Sequence, residues 1–177
     1  KMLRMDGFDV QVVNSYQEAL QAWIAAPPMQ ERSGGAMYCA GGTDLLPNLK
    51  HRLWQPTRLI HIGGIAGEVV LQEGELRIGA GIRLAVLAQD PLIKQYLPSL
   101  SQAAGQVAGP QIRNMATLGG NVLLDTRCLY YNQTEFWRKS LGYCLKAEGD
   151  WCHVVGGPKT CVAAQSSDTV PVLLVAG

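Results

Sequence analysis

Ala36-Met37-Tyr38-Cys39-Ala40-Gly41-Gly42-Thr43-Asp44-Leu45-Leu46 is the stretch on which the fold turns. Its first five residues form an apolar run short enough for a buried strand, the glycine pair is a turn, and Leu45-Leu46-Pro47-Asn48-Leu49 reads as a helix start or a tight helical loop. Strand, glycine turn and helix start in that order can offer consecutive backbone N–H groups to an anion, because glycine lets a ligand approach with no Cβ in the way. Thr117-Leu118-Gly119-Gly120-Asn121 is a second stretch of this kind. Together the two turns could grip a pyrophosphate; either one alone reads more simply as a plain tight turn.

Working outward, Ser15 followed by Glu18 forms a capping-box pattern, and Tyr16, Ala19, Leu20, Trp23 and Ile24 recur at helical spacing. A first helix is expected to about residue 26, stopped by Pro27-Pro28. Short strands are expected at 58–62, 69–72 and 76–78, with Gly63-Gly64 and Glu73-Gly74 as turns. Helices are expected at 84–89, ending at Asp90-Pro91, at about 100–107, and at 111–116, while 171–175 is apolar enough for a helix or a strand. One domain, of one or two lobes, is expected. Residues 122–165 lack any steady period, and a segment that long needs something other than a packed face to organise it.

With 47% of its 177 residues apolar, the chain can bury one sizeable core. A net charge of +1 with 16% charged residues leaves no footprint for nucleic acid or for an anionic membrane. No apolar stretch approaches the roughly 20 residues of a membrane span, and 1–9 lacks the core of a signal peptide, so a cytoplasmic protein with neither partner is expected. The apolar close at Leu173-Leu174-Val175-Ala176-Gly177 reads as part of something longer.

Four of the five cysteines, Cys128, Cys144, Cys152 and Cys161, fall inside the segment without a packing pattern, spaced C-x15-C-x7-C-x8-C. In a reducing compartment, clustered thiols are more often metal ligands than disulfides. Zinc ribbons bring their ligands as C-x2-4-C pairs and ferredoxin-type clusters use two-residue gaps; neither spacing occurs here, so a [4Fe–4S] cluster, a structural zinc and two disulfides all stay open. Cys39, inside an apolar run, is expected to be a small buried hydrophobe. His153, beside Cys152, is expected as a loop residue because four thiolates already complete a set. Tyr130, Tyr131, Trp137, Tyr143 and Trp151 are expected to pack around the loop and shield it. A Rossmann fingerprint is not supported, since Leu84 stands where Gly79-Ala80-Gly81 would need its third glycine, and no Walker loop, nucleophile elbow or HExxH site occurs. Any redox chemistry would therefore belong to bound cofactors.

Ala40-Gly41-Gly42-Thr43-Asp44-Leu45, Ile78-Gly79-Ala80-Gly81, Gly109-Pro110-Gln111-Ile112-Arg113-Asn114 and Thr117-Leu118-Gly119-Gly120-Asn121, in that order, resemble the FAD-binding medium subunits of molybdenum hydroxylases. That family includes carbon monoxide dehydrogenase and xanthine dehydrogenase. The resemblance covers nearly the whole chain, and it implies an α+β fold in which FAD lies between two lobes, 1–57 and 58–177. The implied contacts are Ala40, Gly41, Gly42, Thr43, Asp44, Leu45, Thr117, Gly119, Gly120, Asn121 and, in Ser166-Ser167-Asp168, Asp168.

The departure from the family pattern is an insertion at 122–165. Asp125-Thr126-Arg127-Cys128, Tyr131-Asn132-Gln133, Gly142-Tyr143-Cys144-Leu145-Lys146 and Cys152-His153-Val154 resemble the β subunits of 4-hydroxybenzoyl-CoA reductases. There such a loop binds a [4Fe–4S] cluster, which implies Cys128, Cys144, Cys152 and Cys161 as its ligands. The resemblance further implies a hetero-oligomer with a large molybdopterin subunit and a small [2Fe–2S] subunit. Electrons from a ferredoxin-like donor would pass through [4Fe–4S] and FAD to [2Fe–2S] and molybdenum, where 4-hydroxybenzoyl-CoA loses its phenolic hydroxyl. An FAD subunit of a related hydroxylase acting on another aromatic or heterocyclic substrate, and a zinc-stapled interaction module, are the alternatives.

Overall fold

The computed structural model describes residues 3–176. Three parallel strands, β1 (Asp9–Val12), β2 (Ala36–Cys39) and β3 (Arg58–His61), form the first sheet in the order β1-β3-β2. Parallel neighbours need long crossovers, and these contain helix α1 (Tyr16–Ile24) and helix α2 (Leu45–Lys50). β1 had no apolar run to betray it: all four residues of Asp-Val-Gln-Val are exposed at the sheet edge. The boundary expected at 57/58 is corrected, because β3 is the central strand of the first sheet and buries Leu59 and Ile60 there.

Helix α1 starts as its capping box requires. Ser15 accepts from the Glu18 amide at 3.1 Å, and Glu18 reaches back to the Asn14 amide at 2.8 Å. The face it turns to the core is small, Ala19 and Ala22 with Val13, Ala36 and Ile60, while Leu20, Trp23 and Ile24 remain exposed. Periodicity located the helix without telling which stripe faces inward.

Strands β4 (Val69–Gln72) and β5 (Glu75–Ile78) form a hairpin, and its Glu73-Gly74 loop has both φ angles positive, as a two-residue hairpin turn needs. Six helices complete the second lobe: α3 (Leu84–Leu87), α4 (Pro91–Tyr96), α5 (Pro98–Gln106), α6 (Pro110–Arg113), α7 (Leu118–Val122) and, after the insertion, α9 (Val170–Ala176). Their core is Ile82, Leu84, Leu87, Ile93, Leu100, Ala104, Val107 and Leu118. Asp90-Pro91 opens a helix as well as closing one. Asp90 accepts from the Ile93 amide at 3.1 Å, and Pro91 fills the first helical position, where a missing N–H costs nothing.

The segment 122–165 is not structureless. It contains α8 (Glu135–Ser140), capped by Thr134, whose hydroxyl accepts from the Trp137 amide at 3.3 Å. Its base is closed by two backbone hydrogen bonds, Arg127 N to Ala164 O at 2.8 Å and Ala164 N to Arg127 O at 3.1 Å. All four clustered cysteines lie within the lobe so closed. What organises it is docking on the first lobe through two arginines. Arg138, 1% exposed, donates from Nη2 to the carbonyls of His51 and Arg52, at 3.3 and 2.9 Å, where helix α2 ends and a cation is favoured. Arg32 donates from Nη1 to Leu53 O at 3.1 Å and to Tyr131 Oη at 2.9 Å, and from Nη2 to Lys146 O at 2.7 Å. It also stacks over the Trp54 ring at 4.5 Å. Leu53, Tyr131, Cys144 and Ala147 form the small core beneath.

Of the aromatic shield expected around the loop, Tyr131 is buried at 1% exposure, whereas Trp151 is exposed at 47%. Burial and the hydrogen bond it donates to Asp125 Oδ2, at 2.5 Å, push the Tyr131 phenol up to about 12 against the pull of Arg32. A group raised on folding contributes stability that is full below its ordinary value, 10.0, and is lost as the pH rises through about 12. Comparing wild type with Tyr131→Phe should therefore show a gap in Tm that is largest below pH 10 and shrinks toward pH 12; a gap that stays constant over that range contradicts the assignment.

Candidate functional site

A cleft of about 950 Å³ lies against the carboxyl end of β2. All eleven positions singled out from the sequence line it: Ala40 to Leu45 from the first glycine turn, Thr117, Gly119, Gly120 and Asn121 from the second, and Asp168. Gly42 has φ +69°, a left-handed conformation that side chains rarely adopt. At Gly41 a Cβ would overlap the Met115 carbonyl, so the first turn and the segment leading to the second one touch backbone to backbone. Among the described residues, the N–H groups of Gly42, Thr43 and Asp44 have no protein acceptor. Three successive unpaired amides lining a cleft suit a phosphate group.

The second turn works differently from the expectation of a matching backbone grip. Its amides are already used: Gly119 N donates to Ala80 O at 2.8 Å, Gly120 N to Thr117 Oγ1 at 3.2 Å, and Asn121 N to Thr117 O at 2.9 Å. What it offers is the Asn121 side chain. Asn121 Oδ1 accepts from Ser167 Oγ at 2.8 Å, Thr169 Oγ1 at 2.7 Å and Thr169 N at 3.2 Å, which fixes the amide and leaves Nδ2 free of those partners. Ser167 and Thr169 are buried, and the alternation between them leaves Asp168 exposed at the cleft. Sequence reasoning missed the pair; the flanking of Asp168 by two hydroxyl residues was the only signal available.

Two further charges reach the cleft from the insertion. Arg127 Nη2 is paired with Asp44 Oδ1 of the first glycine turn, and Asn48 Nδ2 donates to the other oxygen of Asp44 at 3.0 Å. Asp125 also lines the cleft and accepts from Tyr131 Oη, from Lys146 Nζ at 2.9 Å and from the Thr126 amide at 2.7 Å. Burial alone would raise its carboxyl, but these donors outweigh burial and hold it below its ordinary value. Cys39, expected as a buried hydrophobe, is half-buried and lines the cleft; burial pushes its thiol up.

On the other side of Asp125 the four clustered cysteines border one small cavity, together with Tyr130, Tyr131, Lys146 and His153. None of them is in a disulfide, so the disulfide alternative is not realised. Cys144 and Cys152 are buried and Cys161 is exposed. Backbone N–H groups of Val155 and Val154 lead the interactions that lower the Cys152 thiol, favouring the thiolate that a metal requires. His153 Nε2 donates to the Tyr143 carbonyl at 2.5 Å, which engages that ring nitrogen as expected of a loop residue. Among the described residues, no three His, Cys, Asp or Glu side chains are gathered for a single metal ion. No helix among them is long and apolar enough to cross a membrane.

The family model for the FAD binding domain in molybdopterin dehydrogenase matches residues 6–177. The aldehyde oxidoreductase FAD-binding subunit PaoB of Escherichia coli K12 is 36% identical over 93% of this chain and 52% of its own length. The nicotine 6-hydroxylase medium subunit of Paenarthrobacter nicotinovorans is 39% identical over 47% of this chain and 30% of its own length. Carbon monoxide dehydrogenase from Hydrogenophaga pseudoflava superposes with a TM-score of 0.61 at 30% identity, covering 67% of this chain and 40% of that one. This chain thus spans about half of PaoB and less of the others. With the cleft, its two glycine turns and a match along 6–177, the chain belongs to the family of the FAD binding domain in molybdopterin dehydrogenase.

Proposed function

We propose that this chain holds FAD and a [4Fe–4S] cluster side by side in a molybdenum-dependent oxidoreductase. The observation that carries the reading is that four free cysteines spread over 128–161 border one cavity, separated from the FAD cleft by Asp125 and Arg127. When bound, FAD exchanges one or two electrons and an iron–sulfur cluster exchanges one. Four thiolates are a ligand set that a [4Fe–4S] cluster takes, and the likeness of the motifs around Cys128, Cys144 and Cys152 to 4-hydroxybenzoyl-CoA reductase β subunits favours the cluster over a zinc.

The chain's own residues do three things in this reading. The Gly42, Thr43 and Asp44 amides bind the diphosphate of FAD, and Asn121 Nδ2 donates to it from the opposite turn. Cys128, Cys144, Cys152 and Cys161 ligate the four irons. Arg127 locks the insertion to the first glycine turn through Asp44. A large molybdopterin subunit and a small [2Fe–2S] subunit complete the complex, with a ferredoxin-like protein as one candidate partner at the cysteine lobe.

For the whole enzyme, a hydroxylase-type dehydrogenase of aldehydes or of aromatic or heterocyclic compounds has the broader support. The match to the aldehyde oxidoreductase subunit takes in 93% of the chain, which includes most of 122–165. Reductive dehydroxylation of 4-hydroxybenzoyl-CoA is the second reading, favoured by the motifs around Cys128, Cys144 and Cys152.

Purifying the intact complex tests these points. Iron, sulfide and a flavin band are expected, and zinc in a colourless protein would refute the reading. Cys144→Ser should remove the cluster but leave most of the flavin; full iron content in that variant contradicts the ligand set. Asn121→Ala should weaken FAD retention about tenfold, roughly 1.4 kcal/mol, for one lost hydrogen bond and its fixed geometry; unchanged flavin content after dialysis contradicts it. Assays with aldehydes, N-heterocycles and 4-hydroxybenzoyl-CoA should give oxidation of one of the first two classes, and reduction of the thioester alone would decide for the second reading.

A further inference from the structure

Lys146 occupies a position that neither site requires for ligation. It borders the cysteine cavity, yet its ammonium is held from behind by Asp125 Oδ1 at 2.9 Å and lies 5.1 Å from the centre of the Tyr131 ring. Lys146 is mostly buried, with its side chain 22% exposed, and Asp125 is 26% exposed. Tyr131 fixes the same carboxylate through Oδ2, and Arg32 anchors both neighbours by donating to Tyr131 Oη at 2.9 Å and to the Lys146 carbonyl at 2.7 Å. A flexible lysine is thereby pinned in the wall of the cavity that the four cysteines border.

Of the titratable side chains other than the cysteines and tyrosines, Lys146 and His153 border the cavity, while Arg32 and Asp125 stand behind its wall, bonded to Tyr131 and Lys146. In a partly buried setting a fixed charge acts with less screening than at the surface. Reduction of a cluster adds one negative charge at the cavity. A cation held there stabilises the reduced form, and an anion held there destabilises it.

We propose that Lys146, held in place by Asp125, is a positioning residue that sets the reduction potential of the group bound by the four cysteines. The Asp125 carboxylate opposes Lys146 in charge while fixing it in space, so the two residues shift the potential in opposite directions. Asp125 also lines the FAD cleft, which makes this pair the charged partition between the two sites. The inference rests on the iron–sulfur reading given above.

The test is a potentiometric titration of the purified complex, followed by electron paramagnetic resonance, with iron and sulfide measured on every sample. Lys146→Gln should make reduction about tenfold less favourable, a fall of about 59 mV for a one-electron couple. Lys146→Arg keeps the charge and should stay near wild type, while Asp125→Asn should move the potential upward. Lys146→Gln and Lys146→Arg shifting alike, or Lys146→Gln with full iron and no shift, would overturn the proposal and leave the cluster reading intact. Loss of iron in Lys146→Gln but not in Lys146→Arg would make the ammonium a folding element and equally overturn it. A wild-type complex with no iron would overturn both.

Discussion

Arg127 joins everything that matters in this chain. Its backbone makes both hydrogen bonds that close the insertion against Ala164, and its side chain pairs with Asp44 of the first glycine turn. The next residue is Cys128 at the cysteine cavity. One residue therefore ties a loop closure, a cofactor cleft and a thiol cluster together. A partly buried ion pair of this kind is a weak argument for stability, because desolvation offsets much of the attraction. Its contribution is geometric: it fixes where the cysteine lobe sits relative to the cleft.

The cysteine lobe illustrates how a segment with few apolar residues can still be held in one place. It gives three buried residues, Tyr131, Cys144 and Ala147, to the small core around Leu53 of the first lobe, too few to order it alone. Arg32 and Arg138 replace the missing apolar contacts with hydrogen bonds to backbone carbonyls of the first lobe, where charged donors are stronger than neutral ones. Both stack on aromatic rings as well, Arg32 on Trp54 and Tyr131 and Arg138 on Tyr143. Arg138 Nη1 has no hydrogen-bond partner, and the Glu148 carboxylate stands 3.9 Å away. A bound cluster would add four covalent anchors to this arrangement.

The two glycine turns look alike in sequence and act differently in space. The first keeps three amides unpaired at the cleft, while the second spends its amides on Ala80 and Thr117 and presents a side chain instead. Asn121 can do so because Ser167 and Thr169, some 46 residues further on, hold its carbonyl oxygen. Residues 122–165 separate these partners in sequence, and the neck at Arg127 and Ala164 brings the chain back to where it left.

The sequence by itself determined the first helix behind its cap and the strand–turn–helix around Gly41 and Gly42, while the resemblance carried by its ordered motifs named the eleven residues that meet at the cleft. Those are local features, set by glycine's conformational freedom, by capping and by the order of short motifs. Which face of α1 points inward, that β3 lies between β1 and β2, and that 122–165 contains a helix were decided only in three dimensions. In each case the deciding partner is distant in the chain: β3 is central because two strands flank it, and α8 is ordered because Arg138 finds the end of α2. The cysteine spacing left cluster, zinc and disulfides equally open, since spacing along the chain says nothing of distance across it. The free thiols around one cavity, with Lys146 and Asp125 behind them, could be seen only once the chain had folded back on itself.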